Sequence, residues 1–184
     1  AISPFNLPLG LSAHKLAPAI AAGCPIVLKP PSAAPLTVLA MTELIDAAGL
    51  PPGSVSVLPM TRELGDRLVE DERFKLLTFT GSPSVGWKMK ARAGKKKVVL
   101  ELGGNAAVIV DKSANLDWAV KRCIAGAYKY AGQLCISVQR VMLHDDIRDE
   151  FMSRFSAGVA ALRLGDPPQA GVDLGPMIDL GAAQ

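Results

Sequence analysis

Long apolar runs, aromatic residues and histidines are all scarce in this sequence, and each scarcity argues against a class of protein. No run approaches the roughly 18 consecutive apolar residues of a membrane span, so we expect no membrane partner. Aromatic residues make up 5% of the 184 residues, and the formal net charge is only +3. Both features argue against a nucleic-acid partner. Neither of the two histidines, His14 and His144, has a partner at metal-ligand spacing, so no metal site is expected.

Cysteine is also scarce. The three cysteines, Cys24, Cys123 and Cys135, are an odd number without the spacing of a disulfide framework, which indicates reduced thiols and a cytoplasmic location. A free cysteine is most often a small buried hydrophobe, and we expect this of Cys24 and Cys123. The chain begins at Ala1 without a methionine and ends without a closing signal, so we expect it to be a segment of a longer protein.

What the sequence does contain is an ordered alternation of short apolar strands and helices. Strands are predicted at 26–29, 55–58, 76–80 and 98–102, and helices at 11–22, 36–48, 64–70 and 81–93. This order predicts an α/β fold with a parallel sheet, helices on both faces and right-handed crossovers.

The pattern changes after Gly104. Strands are predicted at 106–110 and 141–144, helices at 116–130 and 147–162, and loop beyond 164. We therefore place a domain boundary near Gly103 and Gly104, which gives two domains, residues 1–103 and 104–184.

Several polar or glycine residues fall at or just after the ends of predicted strands: Asn6, Lys29, the pair Gly81–Ser82, and Glu101. Ligands of a parallel α/β sheet bind beyond the carboxyl ends of its strands, so we expect one shared cleft there. Lys29 is either a solvated strand end or a contact to a ribose or phosphate. Gly81–Ser82 is either a plain turn or, at the start of a helix, a site for an anion such as a pyrophosphate.

Two residues are candidates for covalent catalysis. Cys135 follows a Gly-Gln turn at the end of a helix-like run, where a thiol is accessible as a nucleophile. Glu101 ends an apolar strand, where a carboxylate is costly unless it is paired or functional, and partial burial would make it a better general base. A nucleophile and a base at element ends are the layout of a covalent catalytic site.

Five motifs stand together in an order and spacing that resemble the aldehyde dehydrogenase superfamily. They cover essentially the whole chain: residues 4–8 (PFNLP), 28–30 (LKP), 79–82 (FTGS), 100–104 (LELGG), and 132–135 (GQLC) with Arg140. The resemblance implies a Rossmann-like dinucleotide-binding domain, of which residues 1–103 are the C-terminal portion. It also implies that residues 104–184 are the N-terminal part of a catalytic domain.

The resemblance further implies a role for each motif residue. Cys135 is the expected nucleophile, Asn6 supplies part of the oxyanion hole, and Glu101 activates the water that hydrolyses a thioester. The expected contacts to NAD or NADP are Lys29, Ser32, Gly65, Gly81, Ser82 and Gly103. The implied activity is oxidation of an aldehyde to a carboxylic acid by a cytoplasmic homodimer or homotetramer, with the isolated chain inactive.

Two points depart from the family pattern. Ser32 stands where many members have an acidic residue that would repel a 2′-phosphate. Arg62 is placed where it could meet such a phosphate, so NAD and NADP both remain open, as does the identity of the aldehyde. Two alternatives to the acid-forming activity are a CoA-acylating aldehyde dehydrogenase, against which Glu101 argues, and a catalytically silent dinucleotide-binding scaffold.

Overall fold

The computed structural model describes residues 1–183, and the chain forms two compact units, Ala1–Leu102 (unit 1) and Gly103–Gln184 (unit 2). Unit 1 alternates strands and helices along its length. Its elements are α1 (Pro8–Ala21), β1 (Ile26–Leu28), α2 (Leu36–Ala47), β2 (Val55–Val57), α3 (Arg62–Glu70), β3 (Leu76–Thr80), α4 (Pro83–Arg92) and β4 (Lys97–Glu101).

The strands of unit 1 form a parallel arrangement in which Ile2 joins two pairs. β1 pairs with β2, and β3 pairs with β4, both in parallel. Ile2 forms parallel bridges to Lys29 on one side and to Phe79 on the other. Its amide donates to the Thr78 carbonyl at 2.9 Å. The spatial order is therefore β2–β1–Ile2–β3–β4, and the predicted parallel α/β sheet is confirmed.

Helices cover both faces of the sheet and pack on the side chains of its strands. On one face, Leu77 and Phe79 of β3 pack with Val69 of α3 and Met89 of α4. On the other, Leu28 of β1 packs with Leu16 of α1 and Val38 of α2. Burial on both faces explains why the strands read as short, nearly continuous apolar runs.

Unit 2 is built around a third parallel pair, β5 (Ala106–Val110) and β6 (Val138–Leu143). Its helices are α5 (Leu116–Tyr128), α6 (Arg148–Ala160) and α7 (Leu180–Ala183). Phe151 of α6, 1% exposed, packs with Val110 and Cys123 in the core. Asn115 caps α5 by accepting a hydrogen bond from the Trp118 amide at 3.0 Å.

Some element boundaries differ from the sequence expectations. Helix α5 ends at Tyr128 instead of continuing to 130, because Tyr130 (φ 58°) and Ala131 (φ 54°) adopt the left-handed conformation. Strand β6 begins at Val138, three residues before the predicted start. Residues 180–183, expected to be loop, form the short helix α7. Between residues 1 and 183, no helix is at once long enough and apolar enough to cross a membrane.

Candidate active site

Lys29 lies directly after β1 and is 7% exposed, so the reading of it as a solvated strand end is wrong. Its ammonium group donates to the Ser32 hydroxyl at 3.0 Å and to the Pro30 carbonyl at 3.4 Å. Burial, followed by the positive charge of Arg62, lowers the pKa of Lys29. A buried cation with a second cation close by is suited to an anionic ligand.

Gly65 of α3 is placed against the stem of Lys29. A Cβ at residue 65 would lie 3.0 Å from Lys29 Cδ and 3.3 Å from Cε, so the absence of a side chain lets the lysine pass beside the helix. Arg62 is one turn earlier on α3, on the same side as Gly65. Lys29, Ser32, Arg62 and Gly65 therefore form one group beyond β1, which we call the Lys29 group.

Gly81 and Ser82 form the turn from β3 into α4. The Gly81 amide donates to the Glu101 carbonyl at 3.0 Å, which ties this turn to the end of β4. A Cβ at Gly81 would overlap the ring of Phe79. The Ser82 side chain makes no capping hydrogen bond to α4, so the first-turn amides keep their capacity to bind an anion.

Glu101 is the last residue of β4 and is exposed. It is in register with Thr80 of the parallel neighbour β3. The residue is therefore open to solvent while its backbone belongs to the sheet.

Asn6 lies in the segment that leaves the sheet after Ile2 and enters α1. It is partly buried, and its Oδ1 accepts a hydrogen bond from the Leu7 amide at 3.1 Å. Pro8 occupies the first turn of α1, where a residue without an N–H is tolerated. Asn6 therefore stands at a strand-to-helix connection, as Gly81 and Ser82 do.

Cys135 of unit 2 is exposed in a loop that is fixed on both sides. The side chain of Gln133 donates to the Tyr130 carbonyl at 3.1 Å and accepts from the Ile178 amide at 3.0 Å. After the cysteine, the Ser137 hydroxyl donates to the Ala127 carbonyl at 3.0 Å. These bonds hold the loop while its thiol stays accessible.

The Gly103–Gly104 segment also belongs to unit 2. A Cβ at Gly104 would overlap the carbonyl oxygen of Cys135, so only glycine permits this approach. Arg140 of β6 donates to the Asn105 carbonyl at 3.1 Å, which joins the same segment to the strand that follows the cysteine. Gly103, exposed, precedes this contact.

The other two cysteines differ from each other. Cys123 of α5 is 2% exposed, as expected, and burial raises the pKa of its thiol. Cys24 follows the end of α1 and is exposed, so the expectation that it is buried is wrong. Gly23, with φ +66°, turns the chain out of α1 before it enters β1. Among residues 1–183, no three or more His, Cys, Asp or Glu side chains are grouped to hold a metal ion.

Sequence reasoning did not single out Lys15, a buried lysine of α1. It is 6% exposed and donates to the hydroxyls of Thr80 at 2.8 Å and Thr78 at 3.1 Å. Three residues of α1 are buried: Ser12, Lys15 and Leu16. Their spacing in the sequence indicated that they lie together, because residues at i, i+3 and i+4 share one helix face. A lysine on that face is buried with the apolar residues of the stripe.

The predicted site residues thus fall into separate groups. Unit 1 holds Asn6, the Lys29 group, and the strand-end group of Gly81, Ser82 and Glu101. Unit 2 holds Gly103 and Cys135. Unit 1 has the layout of an α/β protein whose ligand site lies beyond the carboxyl ends of its strands.

The chain belongs to the Aldehyde dehydrogenase family, which it matches over residues 1–184. It is 43% identical to the 3-sulfolactaldehyde dehydrogenase of Priestia aryabhattai, in an alignment that covers 100% of this chain and 39% of that protein. The chain therefore spans about two fifths of the length of that relative.

Solved structures show the same fold. Aldehyde dehydrogenase 21 from Physcomitrella patens, in complex with the reaction product succinate, is 51% identical with a TM-score of 0.94, over 99% of this chain and 38% of that one. The glyceraldehyde-3-phosphate dehydrogenase GapN from Methanocaldococcus jannaschii, complexed with NADP, is 42% identical with a TM-score of 0.91, over 97% and 40% of the two chains.

Proposed function

We propose that the protein containing this chain oxidises an aldehyde to a carboxylic acid with NAD or NADP as the electron acceptor. Membership of the family supports this proposal, and so does the accessible thiol of Cys135 in a loop fixed by Gln133 and Ser137. Residues 1–103 would be part of the dinucleotide-binding domain, and residues 104–184 part of the catalytic domain. We call a protein of its relatives' length that contains this chain the full-length enzyme.

In the first step, the Cys135 thiolate attacks the aldehyde carbon and forms a thiohemiacetal. The negative charge that develops on the carbonyl oxygen needs hydrogen-bond donors, and we assign these to the Asn6 side-chain amide and the Cys135 backbone amide. The Lys29 group and the first turn of α4 would hold the dinucleotide, which would supply the acceptor for the hydride. Loss of the hydride from this carbon would leave a thioester on Cys135. Only donors placed where the charge develops lower this barrier.

In the second step, water hydrolyses the thioester. Glu101 takes a proton from the water, the water oxygen bonds to the acyl carbon, and the carbon–sulfur bond breaks. The carboxylic acid leaves, and Cys135 is again a thiolate. The exposed carboxylate at the end of β4 is suited to contact this water.

The residues present fit an anionic dinucleotide. The Lys29 group supplies a buried ammonium, a hydroxyl and a nearby guanidinium, and the first turn of α4, uncapped by the Ser82 side chain, supplies amides for a pyrophosphate. Lys29, Ser32, Gly65, Gly81, Ser82 and Gly103 are therefore the proposed contacts. Because Ser32 brings no negative charge to Lys29, we infer that NADP is accepted.

The dinucleotide assignment predicts the effect of Ser32→Asp. A carboxylate beside Lys29 would repel the 2′-phosphate, so the dissociation constant for NADP should rise at least about tenfold relative to that for NAD, about 1.4 kcal/mol. Ser32→Ala is the matched control and should change this ratio little. Titration of the full-length enzyme with each dinucleotide measures it, and an unchanged ratio in Ser32→Asp would contradict the assignment.

The substrate is proposed as a small aldehyde that carries an acidic group. The names of several relatives support this class: 3-sulfolactaldehyde, aspartate-semialdehyde and succinate-semialdehyde dehydrogenases. We further propose a cytoplasmic homodimer or homotetramer, which the molar mass of the full-length enzyme in solution would test.

The experiment that tests the function is product analysis. The full-length enzyme is incubated with a panel of such aldehydes and with NAD or NADP, in the presence and absence of CoA. The proposal predicts a free carboxylic acid and one reduced dinucleotide per aldehyde, without a requirement for CoA. Formation of an acyl-CoA only, or dinucleotide binding without turnover of any aldehyde, would contradict it.

A further inference from the structure

Ser3 and Ser12 form a buried polar pair on the face of the unit 1 sheet that α1 covers. Ile2 packs on the side of α3 and α4, and the next side chain, Ser3, points to the opposite face. There the Ser12 hydroxyl donates to the Ser3 hydroxyl oxygen at 2.9 Å. Ser12 is 0% exposed and Ser3 is 5% exposed. Buried hydroxyls are costly, and a pair of alanines would avoid that cost, so the hydrogen bond indicates a role beyond packing.

The pair closes the stretch of chain that contains Asn6. Ser3 is fixed to the sheet, because its amide donates to the Lys29 carbonyl at 3.1 Å. Ser12 is fixed in α1. Residues 4–11 therefore leave the sheet and enter the helix between two side chains that are bonded to each other. Asn6 lies near the middle of this closed stretch.

Short-range constraints transmit the position of this pair to the Asn6 side chain. Pro4 and Pro8 flank Asn6, and a proline ring fixes φ at about −65°. At the helix end, the Leu11 amide donates to the Leu7 carbonyl at 2.9 Å, and the Leu7 amide donates to Asn6 Oδ1 at 3.1 Å. Oδ1 is thereby directed toward the start of α1. Nδ2, the proposed donor to the oxyanion, is on the other side of the side-chain amide.

We propose that Ser3 and Ser12 are positioning residues for Asn6: their buried hydrogen bond sets the spacing between the sheet and α1, and so fixes the direction in which Asn6 Nδ2 donates. A donor lowers the barrier only when it is aimed at the charge that develops, so a small displacement of this connection would weaken the oxyanion hole. The inference rests on the proposed function for the role of Asn6 in catalysis. The coupling of the pair to Asn6 depends only on the geometry of unit 1.

The coupling can be measured in the 184-residue chain without any turnover. The side-chain amide of Asn6 is observed by ¹⁵N NMR, with that of Asn115 in unit 2 as the internal reference. In Ser12→Ala the Asn6 signals should shift, because the connection is no longer held, while those of Asn115 stay unchanged. Ser54→Ala is the matched control, since the Ser54 hydroxyl donates to the Pro51 carbonyl at 2.7 Å in a turn before β2. Unchanged Asn6 signals in Ser12→Ala, or equal shifts in both variants, would overturn the coupling.

A double variant separates the position of Asn6 from the stability of the fold. Ser3→Ala or Ser12→Ala alone leaves one buried hydroxyl without its partner, whereas the two substitutions together remove both, which can be nearly neutral for stability. We expect each single variant to unfold at a lower temperature than the wild type, and the double variant to unfold close to the wild type. The Asn6 shift should persist in the double variant. Wild-type Asn6 signals there would overturn the proposal.

The catalytic part is tested on the full-length enzyme. Ser12→Ala should lower kcat at least about tenfold while KM changes little, since the oxyanion forms only after the aldehyde is bound. Asn6→Ala should lower kcat about a hundredfold or more, and Ser12→Ala added to it should cause no further fall, because Ser12 acts through Asn6. Effects that multiply in the combined variant, or an equal fall in Ser54→Ala, would overturn the role. If the enzyme turns over no aldehyde, the proposed function fails, while the NMR comparison still decides the coupling.

Discussion

Two lysines of unit 1, Lys15 and Lys29, are buried near strand ends, and both donate to hydroxyl groups. Lys15 contacts Thr78 and Thr80, and Lys29 contacts Ser32. Burial lowers the pKa of each ammonium group, which is a cost that a purely structural lysine avoids by reaching solvent. Lys15 contacts Thr80, which is in register with the proposed base Glu101. Lys29 belongs to the proposed dinucleotide site.

The matched pair Cys135→Ala and Cys24→Ala tests the nucleophile at the residue scale. Both cysteines are exposed, so neither variant should reduce stability much. In the full-length enzyme, Cys135→Ala should lower kcat at least about a thousandfold because no covalent intermediate can form. Cys24→Ala should retain wild-type kcat. Steady-state kinetics measures both, and appreciable turnover by Cys135→Ala would exclude the covalent route.

At the scale of elements, the close approach of two loops in unit 2 positions Cys135, the proposed nucleophile. The segment after Gly103 passes so near the Cys135 backbone that a side chain at Gly104 would overlap the cysteine carbonyl. The Cys135 loop in turn depends on the left-handed residues Tyr130 and Ala131 that end α5. Backbone geometry, together with the side-chain hydrogen bonds of Gln133 and Ser137, thus sets where the thiol lies.

Gly104→Ala tests this close approach. The new methyl group should displace the Cys135 backbone, so kcat of the full-length enzyme should fall at least about tenfold, since a misplacement of about 1 Å can cost a hundredfold. Gly10→Ala in α1 is the control: a Cβ there meets nothing within 4 Å, and alanine stabilises a helix interior by about 0.5–1 kcal/mol relative to glycine. Kinetics and thermal unfolding of both variants give the comparison. Unimpaired kcat in Gly104→Ala would show that the loop spacing is immaterial.

Elements of regular pattern could be predicted from the sequence, and irregular backbone could not. The parallel sheet followed from short apolar strands that alternate with helices, a pattern that burial on both faces produces. The turn at Tyr130 escaped prediction because neither tyrosine nor alanine favours a positive φ. Lys15 escaped it because a lysine in a helix is usually exposed. The Lys15 hydroxyl partners come from β3, more than 60 residues away in the chain.

At the scale of the whole molecule, the chain spans 39% of the length of its relative from Priestia aryabhattai. The proposed activity belongs to a protein of that relative's full length, to which this chain contributes Asn6, Glu101 and Cys135. We therefore expect the isolated 184-residue chain to be inactive with every aldehyde in the panel, and the full-length enzyme to be active. Spectrophotometric detection of NADH or NADPH tests this, and turnover by the isolated chain would contradict the expectation.

The most direct test of the central claim, that Cys135 carries the acyl group and Glu101 removes it, is mass spectrometry of Glu101→Gln in the full-length enzyme. The variant is mixed with an aldehyde and a dinucleotide, quenched in acid and digested. Without its base the thioester should accumulate, so we predict an acyl adduct on the peptide that contains Cys135, only when the dinucleotide is present. No adduct despite dinucleotide reduction, or an adduct on Cys24 or Cys123, would contradict the account.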